Sequence, residues 1–327
     1  MSFSKHPLEN ILAIVGPTAS GKSTLSFELA KSAKLCGITI EIISMDSALV
    51  YKGMDIGTAK PSPEEQALIP HHGLNIREPW QSYSAAQFAK DALQWANEIK
   101  SRGHVPIIVG GTMLYWRALV QGLTDLPATT PEIREKIALE ASEIGWDAMH
   151  DQLHAIDPQT ALRLPPGDTQ RVSRALEIYA MTGQPMSHFL ALQPYAESRD
   201  DASFAHCLVS LEPQDRGWLH ERIRQRFMLM LNQGFLDEVQ LLLSNPNIKP
   251  ELPSMRAVGY RQAISYFNQD ITYEEFVEAG LAASRQLGKR QLTWLRAMPS
   301  RHIVDPSVTD FLPQAMNVCL EHLQTFK

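Results

Sequence analysis

The segment from Gly16 to Ser23 most constrains the fold, because it matches the pattern GxxxxGK[ST] between an apolar run, residues 11–15, and a helical pattern. Glycines in such a loop turn backbone N–H groups toward an anion, the lysine adds a positive charge, and the final hydroxyl can ligate Mg²⁺. The segment predicts a phosphate or diphosphate site, with an ordinary glycine-rich turn as the alternative. Its residues are Gly16, Pro17, Thr18, Ala19, Ser20, Gly21, Lys22 and Ser23.

Short apolar runs alternate with helical patterns in the first third of the 327 residues. This alternation is typical of βαβ units in a buried parallel sheet. We therefore predict an α/β fold, a P-loop NTPase-like parallel sheet core flanked by helices, with a helical insertion domain. The predicted strands are residues 11–15, 38–44, 105–109, 207–211 and 302–304, and the predicted helices include residues 23–35, 85–100, 112–121, 132–144 and 169–181.

Proline-containing breaks suggest where the insertion begins and ends. Pro127 and Pro131 precede its helical patterns, the tripeptide Pro165-Pro166-Gly167 interrupts them, and Pro194 follows them. Helices usually end near such residues. We predict a core domain made of residues 1–123 and 198–327 and an inserted helical domain made of residues 124–197.

Composition excludes several classes of protein. The net charge of −6, with 44% hydrophobic and 20% charged residues, is ordinary for a globular chain and argues against disorder. It also argues against a surface coated in positive charge, but it leaves room for a local basic groove. Three dispersed cysteines, Cys36, Cys207 and Cys319, support neither disulfides nor a zinc site and are expected to be buried. With no signal or membrane segment apparent, we expect a cytoplasmic location.

A carboxylate follows the second predicted strand, and none follows the third. Asp46 comes directly after the second strand, whereas the strand at 105–109 runs into Gly110-Gly111-Thr112. Because parallel strands end at the same edge of a sheet, Asp46 should lie beside the phosphate loop. A carboxylate there can bind Mg²⁺ or accept a proton, although a turn or helix-cap aspartate is the alternative. ATPases that activate water usually carry an acid after the later strand, so hydrolysis is disfavoured.

The stretch from Asp46 to Pro61, DSALVYKGMDIGTAKP, closely resembles the signature of bacterial tRNA dimethylallyltransferases, the isopentenyl-transferase family. Further similar stretches follow in family order and extend the resemblance over roughly residues 11–296. They are residues 16–23, 109–115, 170–177, 256–262 and 285–296.

The resemblance implies transfer of the dimethylallyl group from dimethylallyl diphosphate to the exocyclic N6 amine of the adenosine 3′ to a tRNA anticodon. In that reaction Asp46 would act as general base, while Lys22 and Arg226 would stabilise the diphosphate. Mg²⁺ on Ser23 would assist them. Thr112 resembles a family threonine near the reacting adenine, with a helix N-cap as the alternative. Four arginines and one glutamate lie within residues 216–226, and a solvated helix face would explain Arg222 and Arg224 equally well.

The resemblance also implies contacts to the tRNA anticodon stem-loop, made in part by three basic clusters. Arg285, Lys289 and Arg296 fall on one face of an ideal helix, although Leu292 shares it. Solvated faces are the alternative for each cluster. We expect a monomer that binds no membrane. The expected RNA contacts are Asp46, Ser47, Ala48, Leu49, Thr112, Arg134, Gln170, Arg171, Val172, Ser173, Arg174, Arg256, Ala257, Val258, Gly259, Tyr260, Arg261, Arg285 and Lys289.

Two other functions remain open from sequence. A small-molecule or nucleoside kinase would use the same loop and Asp46 as base. A non-catalytic RNA-binding protein would keep a vestigial loop. The pair His71-His72 could suggest a metal site, but adjacent loop residues seldom share an ion, so we interpret the pair as structural or surface residues.

Overall fold

The computed structural model describes residues 7–122, 126, 129–192, 206–298 and 300–324. Six strands form one sheet in these residues: β1 (Ile11–Val15), β2 (Ile40–Met45), β3 (His71–His72), β4 (Val105–Gly110), β5 (His206–Leu211) and β6 (His302–Val304). All of them pair in parallel, in the order β3-β2-β4-β1-β5-β6. The predicted α/β fold with a parallel sheet is confirmed.

The described residues also form fourteen helices, which are distributed between two units. Two compact units are present, one made of Met1–Gln121 with Ala202–Lys327 and one made of Gly122–Asp201, called here the core unit and the inserted unit. The domain boundaries expected at 123/124 and 197/198 lie outside the described residues. The helices are α1 (Lys22–Leu35), α2 (Pro63–Leu68), α3 (Ala85–Ser101), α4 (Met113–Gln121), α5 (Pro131–Ile144), α6 (Trp146–Ile156), α7 (Pro158–Ala161), α8 (Thr169–Thr182), α9 (Met186–Leu192), α10 (Arg216–Asn232), α11 (Phe235–Leu243), α12 (Tyr260–Phe267), α13 (Tyr273–Arg296) and α14 (Phe311–Leu323).

Apolar side chains on both faces of the sheet explain its burial. Every residue of β1 is buried, as expected for a central parallel strand. Leu12 and Ile14 pack with Leu29 of α1 and Cys319 of α14 on one side. Helix α3 packs against β2 and β4. This packing fixes the carboxyl ends of β1, β2 and β4 next to one another.

A second apolar cluster holds the chain that follows β2. Tyr51 and Met54 are buried there against Phe227, Phe235 and Tyr260 from three helices, α10, α11 and α12. Helix α13 packs against α10 and α12 in the same layer. The segment after Asp46 is therefore anchored to helices that lie far downstream in sequence.

The inserted unit has an apolar core of its own. Ile137 of α5, Met149 and Leu153 of α6, and Val172 and Leu176 of α8 are buried together. Thr130 and Asp168 accept hydrogen bonds from the first turns of α5 and α8, which satisfies N–H groups that a helix start leaves free. Proline at the first position of α5 fits its start.

Several element predictions need correction. β2 begins at Ile40 instead of Ile38, and α4 begins at Met113 instead of Thr112. Strand β3, at His71 and His72, was expected to be a loop, because two histidines carry no apolar run. Cys36 is exposed, contrary to expectation, since it lies just beyond the end of α1.

Candidate functional site

Three loops meet where β1, β4 and β2 end side by side. The phosphate loop follows β1, Asp46 follows β2, and Gly111-Thr112 follows β4. With α10, α12, α13 and the segment 57–61, these loops line a cavity of about 790 Å³ within the core unit. The sheet edge thus collects in one place groups that are widely separated in sequence, as parallel α/β sheets generally do.

The phosphate loop is built as its sequence predicts. Gly21 adopts a φ of 95°, in the left-handed region that glycine tolerates, just before α1 begins. The Lys22 Nζ donates to the carbonyls of Gly16 at 2.9 Å and Pro17 at 2.7 Å. Burial lowers the pKa of Lys22 to about 7, an effect that Arg226 adds to and Asp46 opposes. An anion in the cavity would favour the charged form of this lysine.

Asp46 and Thr112 both tie neighbouring loops together. The Asp46 Oδ1 accepts from the N–H groups of Ala48 at 2.8 Å and Leu49 at 3.4 Å, which is the turn role considered from sequence. Its other oxygen accepts no hydrogen bond from the described residues. The Thr112 Oγ1 accepts from the Ser47 N–H at 3.1 Å, which links two loops, while the Thr112 carbonyl accepts from the Tyr115 N–H at 2.9 Å, as that of an N-cap residue does. Ser47, Ala48 and Leu49 line the cavity with Asp46.

Arg226 extends from α10 into the cavity. Its Nη2 donates to the Thr58 carbonyl at 3.2 Å. Burial lowers its pKa, Asp46 opposes that effect and Arg222 adds to it. Arg222 also lines the cavity, whereas Arg224 forms an exposed pair with Glu221 at 2.6 Å. The cavity therefore gathers Lys22, Arg226 and Arg222 near a single carboxylate, an arrangement suited to an anionic ligand.

The predicted RNA contacts at 256–261 divide into three groups. Arg256 is exposed and lines the cavity with Ala257, Val258 and Gly259. Arg261 is exposed and does not line it. Tyr260 also lines the cavity, but its side chain is fully buried and its hydroxyl donates to Glu238 at 2.6 Å, so it serves in packing, and an RNA contact by it remains a prediction.

The basic stripe of α13 is interrupted by packing. Lys289 and Arg296 are exposed, but Leu292 on the same face is 8% exposed and Arg285 is half-buried. The Arg285 Nε is buried and has no hydrogen-bond partner in the described part of the chain. Neither Arg285 nor Lys289 lines the large cavity; Lys289 lines a smaller one of about 380 Å³ beside Arg290 and Trp294.

The remaining predicted contacts lie in the inserted unit. Arg134, Gln170 and Arg171 are exposed. Val172 is 0% exposed in the core of this unit, so its side chain cannot reach RNA as expected. Ser173 and Arg174 are both engaged by buried Glu177, at 2.9 Å and 3.6 Å. For Arg134, Gln170, Arg171, Ser173 and Arg174 an RNA contact remains a prediction.

Sequence reasoning missed Gln291, which links two of the loops. The Thr18 N–H donates to its Oε1 at 2.8 Å, and its Nε2 donates to the Gly111 carbonyl at 3.0 Å. It lies within residues 285–296, where one glutamine on a helix gives no local signal of a contact to a distant loop. Gln291 connects α13 to the phosphate loop and to the loop that carries Thr112.

The described residues contain neither a membrane-spanning helix nor a cluster of typical metal ligands. No helix there is long and apolar enough to cross a membrane. No group of three or more histidine, cysteine, aspartate or glutamate side chains there is placed to hold a metal ion.

The parallel sheet, the phosphate loop and the cavity with its facing carboxylate define an α/β protein of the P-loop type. A family model described as IPP transferase matches residues 49–298. The tRNA dimethylallyltransferase of Polynucleobacter asymbioticus is 50% identical over 315 residues, which are 96% of this chain and 95% of that protein. This chain belongs to the IPP transferase family, and its expected membership is confirmed.

Solved structures are similar over nearly the whole chain. The tRNA isopentenylpyrophosphate transferase of Bacillus halodurans matches with a TM-score of 0.68 and 33% identity, covering 97% of this chain and 98% of that one. A eukaryotic dimethylallyltransferase solved while acting on tRNA matches with a TM-score of 0.77 and 25% identity, covering 97% of this chain and 80% of the other. The fold is therefore shared across the family.

Proposed function

We propose that this chain is a tRNA dimethylallyltransferase that prenylates the N6 amine of the adenosine 3′ to the anticodon. The observation that carries the proposal is the common cavity of Lys22, Asp46, Thr112 and Arg226. Asp46, the candidate base, shares this cavity with Lys22 and Arg226, two cationic side chains that are candidates for binding the diphosphate. Family membership and the activity named for the relatives support the same reaction.

The residues suggest how each bond changes. The adenine N6 attacks C1 of the dimethylallyl group, the bond from C1 to the diphosphate oxygen breaks, and Asp46 accepts the N6 proton. An exocyclic amine conjugated to the ring is a weak nucleophile, so this base contributes about 10²- to 10⁴-fold. Lys22, the loop amides and Arg226 stabilise the charge that develops on the leaving diphosphate.

Apolar residues suit the same cavity to a prenyl chain. Met113, Leu114, Phe227 and Met230 line it together with the charged groups. An apolar wall binds a hydrocarbon and keeps water from a reactive diphosphate. A kinase that binds a polar nucleotide does not need such an apolar wall. In addition, no carboxylate follows β4, although nucleotide hydrolysis usually requires one there.

We propose Mg²⁺ as the cofactor, bound through diphosphate oxygens and the Ser23 hydroxyl. Ser23 is exposed and lines the cavity next to Lys22. This hard oxygen donor fits Mg²⁺, which commonly takes few protein ligands and several from phosphate or water. When bound, the ion would neutralise charge on the leaving group.

We further propose that the active form is a monomer. The expected contacts of the inserted unit with the anticodon stem, and the cytoplasmic location, remain predictions. Light scattering of the protein with and without tRNA tests the first of these proposals, since a dimer as the active species would contradict it.

Incubation of purified protein with dimethylallyl diphosphate, Mg²⁺ and unmodified tRNA tests the function. We expect one N6-dimethylallyladenosine for each diphosphate released, with no dependence on ATP. Consumption of ATP without prenylated adenosine would favour a kinase. Binding of tRNA without any chemistry, unaltered by Asp46→Ala, would favour a non-catalytic RNA-binding protein.

A further inference from the structure

The Glu238 carboxylate accepts four hydrogen bonds, although it belongs to none of the motifs above. Its Oε2 accepts from the N–H groups of Asp55 at 2.7 Å and Ile56 at 2.6 Å. Its Oε1 accepts from the Gly57 N–H at 3.0 Å and the Tyr260 hydroxyl at 2.6 Å. Three successive backbone N–H groups directed at one anion form a strong, charge-assisted set of contacts. Glu238 therefore fixes the backbone of residues 55–57.

The segment held by Glu238 has little freedom to lie elsewhere. A side chain at Gly57 would collide with the rings of Phe235 and Tyr260, so the backbone lies directly on them. The Thr58 Oγ1 donates to the Met54 carbonyl at 2.6 Å, which closes the turn. If glutamine replaced Glu238, its single acceptor oxygen could not accept from all three N–H groups, and at least one of them would lose its partner.

This segment in turn contacts Arg226. The Thr58 carbonyl accepts from the Arg226 Nη2 at 3.2 Å, and Gly57, Thr58 and Ala59 line the cavity. No carboxylate lies within ion-pair distance of Arg226 among the described residues. The carbonyl of Thr58 is therefore the contact that orients its guanidinium.

We propose that Glu238 is a positioning residue, which holds residues 55–58 so that the Thr58 carbonyl directs Arg226 toward the diphosphate. Glu238 touches no substrate in this scheme and acts only through Arg226. The inference rests on the proposed function, which supplies the diphosphate. It assigns the first turn of α11 a role in binding dimethylallyl diphosphate and none in binding tRNA.

A double-mutant cycle tests this role. We expect Glu238→Gln to raise the KM for dimethylallyl diphosphate about tenfold and to leave the KM for tRNA within about twofold. In the Arg226→Ala background the same substitution should add less than about twofold, because the group it positions is already gone. Asp237→Asn, an exposed neighbour on the same helix, is the matched control and should match the wild type.

The thermal unfolding midpoint of each variant separates positioning from general damage. If Glu238→Gln is insoluble, Glu238→Asp takes its place, and its shorter carboxylate should raise the same KM about three- to fivefold. The inference would be overturned if Glu238→Gln had equal effects with and without Arg226. It would also be overturned if the KM for dimethylallyl diphosphate stayed unchanged, or if it rose no more than the KM for tRNA. A wild-type protein without prenyl transfer would instead contradict the proposed function, before any variant is compared.

Discussion

At the scale of single residues, Lys22 lies where its charge depends on what fills the cavity. Burial lowers its pKa to about 7 while Arg226 lies nearby. The free protein therefore holds a charged Lys22 below pH 7 and a neutral one above it. A bound diphosphate favours the charged form, so binding takes up a proton at alkaline pH.

The predicted consequence is a pH-dependent affinity for dimethylallyl diphosphate. We expect the dissociation constant of the wild type to rise by up to about tenfold per pH unit between pH 7 and 9. Lys22→Met should bind more weakly but with a flat profile over that range. Isothermal titration calorimetry in buffers of different ionisation enthalpy measures both the affinity and the proton uptake. Parallel profiles for the two proteins would show that Lys22 does not titrate there.

Some residues of the site could be predicted from sequence and others could not. Lys22, Asp46 and Thr112 follow strands that end at one sheet edge, so local patterns were enough to bring them together. Gln291 accepts a hydrogen bond from Thr18, which lies 273 residues earlier in the chain. Glu238 accepts one from Asp55, which lies 183 residues earlier. A glutamine or glutamate on an amphipathic helix carries no local signal of such a contact, which depends on how the helical layer packs.

At the scale of elements, α13 is fixed to the sheet edge through Gln291. We predict that Gln291→Ala raises the KM for dimethylallyl diphosphate about five- to tenfold, because the Thr18 N–H and the Gly111 carbonyl lose their common partner. Gln286→Ala, an exposed glutamine one and a half turns earlier on the same helix, serves as control. Steady-state kinetics with saturating tRNA provide the comparison, and equal KM values for the two variants would argue against the link.

The edge of the sheet depends on a buried carboxylate. Glu41 of β2 accepts hydrogen bonds from Arg102 and contacts the rings of His72 and His104 at 2.7 Å and 2.6 Å. Burial alone would raise its pKa, but Arg102 and the two histidines outweigh that effect and lower it from 4.5 to about 2. This pairing also explains why His72 lies in a strand beside β2. The sequence could not predict β3, because the strand depends on contacts with β2, including the one between His72 and Glu41, and not on a local pattern.

We predict that Glu41→Gln lowers the free energy of unfolding by about 2–3 kcal/mol at neutral pH. Because the folded pKa lies below the unfolded value, the carboxylate's contribution is complete above pH 4.5 and is lost as the pH falls toward 2. The gap between wild type and variant should therefore close in acid. Urea unfolding at pH 7 and pH 3 measures it, and a gap that stays constant would contradict this assignment.

At the scale of the whole molecule, the distribution of charge matters more than its sum. The chain carries a net charge of −6, yet residues 280–296 contain four cationic residues and no aspartate or glutamate. Net charge alone therefore decides neither for nor against RNA binding, which depends on where the cationic residues cluster. The fold itself was largely predictable, because buried parallel strands are apolar runs. The boundaries of the inserted unit were less predictable from sequence. Prolines indicate where helices end, but they do not show which helices pack together.

This charge distribution predicts a salt effect on RNA binding. Lys289→Ala should weaken tRNA binding and reduce the slope of log K against log salt by about one, as expected for one lost phosphate contact. Lys34→Ala, which removes an exposed lysine from α1, should change neither. Filter binding between 50 and 300 mM salt checks both variants, and an unchanged slope for Lys289→Ala would place that lysine outside the RNA interface.

We propose Asp46 as the base in a cavity shared by the diphosphate and the adenosine. The most direct measurement is the single-turnover rate of prenyl transfer by wild type and Asp46→Ala, with tRNA affinity determined on the same samples. We predict that the rate falls by at least about 10²-fold while tRNA affinity changes little. A rate that is preserved at saturating tRNA, with the loss confined to affinity, would contradict it.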